Sequence, residues 1–386
     1  MQGTSIFRRL SLISVLVGLV LLLNIGSAAA SSGPAQVPQS ETDVSYPGVN
    51  GVTLAGTLLI PAHRQGKRIP GVVIVAGSGP VDRNGNAVGG EQSDLYEQFA
   101  EDLAQHGIAS LRYDKRAVGG STSYPQPKDP QHPTPAEIAA IENFFAWQNY
   151  VDDAAASLRY LQSQPAIDSW HTAMLGHSEG TYISEEVATT PYPGLKPPTA
   201  LVLAGAPGRT IDALLREQID NQLTQSQLSA SVQSFILQQY DAIIAGIRQT
   251  GQTPRQPIIN LLNNSQVPTA ITTFFEGTFQ IAYDKLWSGE LQVMPTTLVR
   301  EYRGPVLILQ GTSDHNVFAN EDTPLLDEAL EQRPHDDHFT LLVPGASHFL
   351  KPVTATNPEG ITGPVAPQVQ FTLPFWLNLK LEKSSL

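Results

Sequence analysis

The feature that most limits the fold of this chain is an alternation of short apolar runs with stretches of helical spacing. Gly71-Val72-Val73-Ile74-Val75 is apolar throughout and of strand length, which is the pattern of a strand covered on both faces. Leu95, Phe99 and Leu103 then recur every four residues and predict a helix that Gly107 closes. Further strands are expected at 109–113, 172–175, 199–204, 306–310 and 339–343. Ahead of them, the runs 44–46 and 52–60 flank a Gly48-Val49-Asn50-Gly51 turn and predict an antiparallel hairpin. Strands alternating with helices mean an α/β protein, with a mainly parallel central sheet and helices on both faces.

The alternation breaks once. Between Pro207 and Gly304 no strong strand run occurs, whereas Ile211, Leu214, Leu215 and Ile219, then Val232, Ile236, Tyr240, Ile243 and Ile247, keep helical spacing. An inserted helical cap over 208–303 is expected, dividing a core made of 42–207 and 304–386. A chain of 386 residues buries about three quarters of its unfolded surface, enough for one large core with such an insertion.

Residues 1–30 have the form of an export signal: Arg8-Arg9, the apolar run Leu10 to Leu23, then Ala28-Ala29-Ala30. Cleavage after Ala30 is expected, followed by a flexible leader over 31–41. The protein is then periplasmic or secreted, with no stable membrane insertion. An uncleaved membrane anchor is the alternative, although the apolar run is short of a full span. Losing Arg8 and Arg9 takes the formal charge from −13 to −15, which disfavours nucleic acid as a partner. The absence of cysteine excludes disulfides, thiolate catalysis and thiolate metal sites.

The segment Gly176-His177-Ser178-Glu179-Gly180 follows an expected strand and precedes a helical run through Ile183 and Val187. That context makes it a nucleophile elbow, in which a sharp strand-to-helix turn thrusts Ser178 outward and the two glycines remove side chains that would collide. A serine is a poor nucleophile without a base, so a histidine is required on a late loop, with an acid before it in the chain. Nine histidines compete. His348 follows the last strand within Pro344-Gly345-Ala346-Ser347-His348-Phe349, whereas His335 and His338 fall before that strand. His177 is expected to be packed and hydrogen-bonded inside the elbow. Asp314 lies just beyond the 306–310 strand, at the sheet edge where active-site groups collect. Asp336 and Asp337 are the fallback acids. The oxyanion is expected to meet the backbone N–H groups of Glu179 and of the Gly77-Ser78-Gly79-Pro80 loop, Ser78 first and Gly77 next.

Taken in order, Gly77-Ser78-Gly79-Pro80 with Asp82-Arg83-Asn84, Arg112-Tyr113-Asp114-Lys115-Arg116 with Gly119 and Ser121, and Gly176-His177-Ser178-Glu179-Gly180 resemble bacterial α/β-hydrolase carboxylesterases. The similarity is to the group containing the Thermotoga-type esterase D, over nearly all of the chain after residue 42. It implies an α/β-hydrolase fold, a triad of Ser178, His348 and Asp314, and hydrolysis of short-acyl esters. The chain departs from the group at Ala117, where glycine commonly follows the Asp-Lys-Arg run, and in its cap. Asp114, Lys115 and Arg116 are expected to form a buried structural network beside the elbow. The expected partner is a small ester held under the cap, and no metal or organic cofactor is implied. A peptidase or amidase with the same triad, and a catalytically silent binding module, are the competing readings. Nothing in the sequence speaks to oligomeric state.

Overall fold

The computed structural model describes residues 35–335 and 337–381. The expected signal segment, residues 31–34 of the expected leader and Asp336 lie outside the described residues. Ordered sheet begins earlier than the expected start near residue 42: strand β1 covers Ser40–Pro47. A two-residue ribbon, Gln36–Val37 with His63–Arg64, lies ahead of it.

Eight strands form one sheet: β1, β2 (Thr53–Ile60), β3 (Ile69–Val75), β4 (Ala109–Tyr113), β5 (Ile167–His177), β6 (Ala200–Ala204), β7 (Val306–Gly311) and β8 (His338–Val343). Their order across the sheet is β8-β7-β6-β5-β3-β4-β2-β1. The β1–β2 and β2–β4 pairs are antiparallel and all others parallel. Parallel neighbours need crossovers, and helices α1 (Leu95–Gln105), α2 (Pro135–Phe144), α3 (Trp147–Ser163), α4 (Glu179–Thr189), α11 (Ala319–Glu331) and α12 (Pro367–Leu381) belong to this core. The arrangement is the α/β-hydrolase fold.

Strand β3 shows why its sequence is apolar without alternation. Val73 and Val75 enter one hydrophobic core with Leu158 of α3 and Ile183 of α4. Val72 and Ile74 enter a second core with Phe99 of α1 and Leu377 of α12. Successive side chains point to opposite faces, so each parity needs its own apolar surroundings. Each of these buried side chains contributes about 1.5–3 kcal/mol.

The insertion is helical throughout: α5 (Ile211–Gln225), α6 (Ala230–Thr250), α7 (Arg255–Asn263), α8 (Thr269–Thr278), α9 (Asp284–Glu290) and α10 (Pro295–Glu301). Ile219, Ile236, Tyr240, Ile243, Leu261 and Phe275 give it a separate hydrophobic core. Its last turn is different, because Val299 of α10 packs into the main core. Arg209 anchors the entry to the insertion, its Nε and Nη2 donating to the buried Asp322 carboxylate at 3.0 and 2.8 Å. An apolar cavity of about 460 Å³ lies inside the cap, lined by Ile219, Leu223, Leu228, Ile271 and Phe274 among others. Ser178 and His348 are not among its lining residues, so the expected acyl pocket under the cap is not this cavity.

Candidate active site

Ser178 stands between the end of β5 and the start of α4 at φ 55°, ψ −126°, a backbone region that costs a non-glycine residue of order 1–3 kcal/mol. The turn is enforced by close approach on both sides. A Cβ on Gly176 would lie 2.3 Å from the Gly180 carbonyl oxygen, and one on Gly180 would lie 2.3 Å from that of Val75. No residue with a side chain fits either position, which explains the glycine spacing. The Ser178 N–H donates to Ala204 O at 2.9 Å, tying the elbow to the end of β6.

His348 and Asp314 reach the same edge from the loops after β8 and β7. His348 Nδ1 lies 2.8 Å from Asp314 Oδ2, and the carboxylate is further held by N–H donors: Asn316 and Val317 on Oδ1 at 2.8 and 2.9 Å, and the Gln310 amide on Oδ2 at 2.9 Å. Burial pushes the Asp314 carboxyl up, but His348 and these donors outweigh burial and hold it below the usual carboxylate range. The imidazole of His348 packs on Gly205, the residue after β6. Gly205 has φ 55°, and a Cβ there would lie 3.1 Å from the ring. The Ala204 carbonyl thus accepts from Ser178, and the next residue, Gly205, lies under the His348 ring. The Ser178 hydroxyl has no hydrogen-bond partner among the described residues.

His177 is packed as expected, and its surroundings settle its tautomer. The Gly77 N–H donates to Tyr96 Oη at 3.0 Å, which leaves the Tyr96 hydroxyl proton for His177 Nδ1 at 3.0 Å. His177 Nε2–H then donates to the His348 carbonyl at 2.9 Å. Burial, with His348 beside it, pulls the His177 pKa down from 6.5 to about 3. In this window the unfolded chain takes up a proton that the folded chain refuses, so stability falls as pH drops. The expected loss from this group is about 3 kcal/mol between pH 7 and 4. Urea unfolding of the parent and His177→Asn at both pH values measures it, and equal pH dependence in the two proteins would contradict it.

The loop after β3 lies against the serine: a Cβ on Gly77 would come within 3.1 Å of Ser178 Cβ. Because Tyr96 occupies the Gly77 N–H, that group is withdrawn as the second-choice oxyanion donor. The Ser78 N–H has no partner among the described residues, nor does that of Glu179, which opens a helix where N–H groups lack intrahelical acceptors.

The Asp114-Lys115-Arg116 run is not one network. Asp114 accepts the Arg83 and Gly120 N–H groups at 2.8 and 2.9 Å. Arg116 forks onto Asp153 at 2.9 and 2.8 Å. Only Lys115 turns to the elbow, donating to Gly77 O and lying 3.5 Å from Glu179 Oε1. Ala117 sits at φ 64°, which accounts for the glycine that the resembled group carries there. Of the fallback acids, Asp337 precedes β8 and pairs with Lys380 at 2.5 Å. His335 is exposed, and His338 begins β8 at its opposite end from His348. Tyr96 and Gly205 were not singled out by sequence reasoning, and Lys115 was expected only as part of a structural network; Gly205, at a strand's end before Ala206-Pro207, carried a visible signal.

The model of a family described as serine aminopeptidase, S33, a hydrolase family, matches residues 89–243. That stretch holds Lys115 and Ser178 but ends before Asp314 and His348. Among solved structures, an esterase of Pyrococcus furiosus is 14% identical, with 89% of this chain and 92% of that chain covered and a TM-score of 0.52. A hypothetical protein of Pseudomonas aeruginosa is 15% identical, with 89% and 93% covered and a TM-score of 0.51. No curated protein matches the chain.

Proposed function

We propose that this chain is a serine hydrolase that cleaves short-acyl carboxylic esters by two-step acyl transfer. Ser178 Oγ adds to the ester carbonyl carbon as His348 Nε2 takes its proton, and the Glu179 and Ser78 N–H groups receive the oxyanion. The alcohol departs with the proton from His348, leaving an acyl group on Ser178. Water, deprotonated by the same imidazole, then releases the acid and restores the serine. Asp314 accepts a hydrogen bond from the Nδ1–H throughout, which keeps the Nε2 lone pair available to the serine.

The observation that carries this reading is a serine held at positive φ between a parallel strand and a helix, its N–H bonded to Ala204, whose neighbour Gly205 lies under an imidazole paired to a buried carboxylate. Such strain persists only where the surroundings impose it, and it concentrates at functional sites. The ester preference is supported by the motif resemblance. The serine aminopeptidase match favours amide cleavage as a second reading, since the catalytic groups are common to both.

Assays on p-nitrophenyl acetate and butyrate beside aminoacyl p-nitroanilides separate the two. Turnover of the esters at least about 100-fold above the anilides is expected, the gap that a difference of about 3 kcal/mol in transition-state binding produces. Anilides cleaved as well as esters would favour the aminopeptidase reading, and turnover of neither class would remove both.

A further inference from the structure

We infer that Lys115 is a positioning residue for the oxyanion site: its ammonium grips the peptide whose N–H receives the developing charge. The inference rests on the hydrolase reading and extends it to a residue outside the triad. The Ser78 N–H belongs to the same peptide unit as the Gly77 carbonyl. In a trans peptide these groups point in opposite directions, so whatever holds Gly77 O also aims Ser78 N–H. Lys115 Nζ donates to that oxygen, while Tyr96 holds the Gly77 N–H of the preceding peptide. Both planes meeting at Gly77 are thereby restrained.

The same ammonium lies 3.5 Å from Glu179 Oε1, on the residue that supplies the other oxyanion N–H. One buried cation thus links both donors, although they come from loops after different strands. The link is also electronic. A charge-assisted hydrogen bond on a carbonyl draws density from its amide and strengthens the attached N–H as a donor. A nearby positive charge further favours an oxyanion over a neutral carbonyl.

The burial of Lys115 needs such an explanation. Its side chain is only 5% exposed, and an ammonium is costly to bury unless its partners are fixed. Its neighbours in the chain do not account for it, because Asp114 and Arg116 are satisfied elsewhere. The groups around it are the Tyr150 ring at 5.8 Å, Glu179, and Glu290 of the cap helix α9, whose buried carboxyl is driven up by burial and by Glu179 against the opposing pull of Lys115.

Lys115→Met keeps the length and removes the charge. The expected result is a fall in kcat of about 10²–10³-fold, the usual effect of losing an oxyanion donor, with KM within about threefold of the parent. Affinity for a trifluoromethyl ketone, which adds to the serine and forms an oxyanion, should fall by a similar factor. Affinity for the matching methyl ketone should not. Lys115→Gln, which keeps a neutral donor, should lie between and serves as the reporter where methionine is not accommodated. A folded variant with parental kcat and an unchanged ratio of the two ketone affinities would overturn the inference, as would equal weakening of both ketones. If Ser178→Ala keeps its activity, the hydrolase reading itself fails. If Ser178→Ala is inactive while Lys115→Met matches the parent, only the role of Lys115 fails.

Discussion

Ser178→Ala is expected to lose at least about 10⁴-fold in ester turnover while folding normally, because removing the nucleophile leaves only the binding and oxyanion contributions. The fold should tolerate the change. The Ser178 hydroxyl makes no hydrogen bond among the described residues, whereas its backbone N–H and C=O hold Ala204 and Thr181 in place and survive the substitution. Alanine still faces the positive φ of the turn, so strain is unchanged to within a few tenths of a kcal/mol. Steady-state assays with p-nitrophenyl butyrate and a thermal melt measure both halves of the expectation. A folded variant that retains a tenth of parental turnover would show that another group attacks the ester.

The second large effect concerns Asp314→Asn, for which a fall in kcat of about 10⁴-fold is expected. Every acceptor position of this carboxylate faces a donor. Oδ1 receives the Asn316 and Val317 N–H groups, and Oδ2 receives the Gln310 amide and His348 Nδ1. An asparagine must turn its NH₂ toward one of these sets. If it faces His348, the ring is driven to carry its proton on Nε2, where it can no longer accept from the serine. If it faces the loop, two backbone donors lose their acceptor, at about 1–3 kcal/mol each. Inactivity with a lowered melting temperature is the expected pair of results. Activity within tenfold of the parent would exclude Asp314 as the orienting acid.

Much of the architecture was legible because it depends on local pattern. The unbroken apolar run of β3 announces burial on both faces, and the helical spacing from Ile211 to Ile247 announces the insertion. Boundaries were less legible. Strand β5 begins at Ile167, ahead of the expected run, because the partly exposed stretch from Asp168 to His171 interrupts its apolar pattern, and α10 joins the main core although it lies within the expected cap. Helical spacing reports that a face is apolar but not which core will cover it.

The site divides in the same way. Ser178 could be named from five consecutive residues, since strand, glycine-flanked turn and helix are all local. His348 and Asp314 could be named because parallel strands bring their carboxyl ends to one edge, so the loops that follow them must meet. Pairings that span the fold were invisible in the string of residues. Lys115 reaches Gly77 and Glu179 across separations of 38 and 64 residues, and Tyr96 takes the Gly77 N–H only because α1 packs beneath that loop. A hydrogen bond is a matter of a few ångströms and a direction. Sequence order states neither once the chain has folded back on itself, so the Tyr96 contact that occupies the Gly77 N–H belonged to tertiary structure alone.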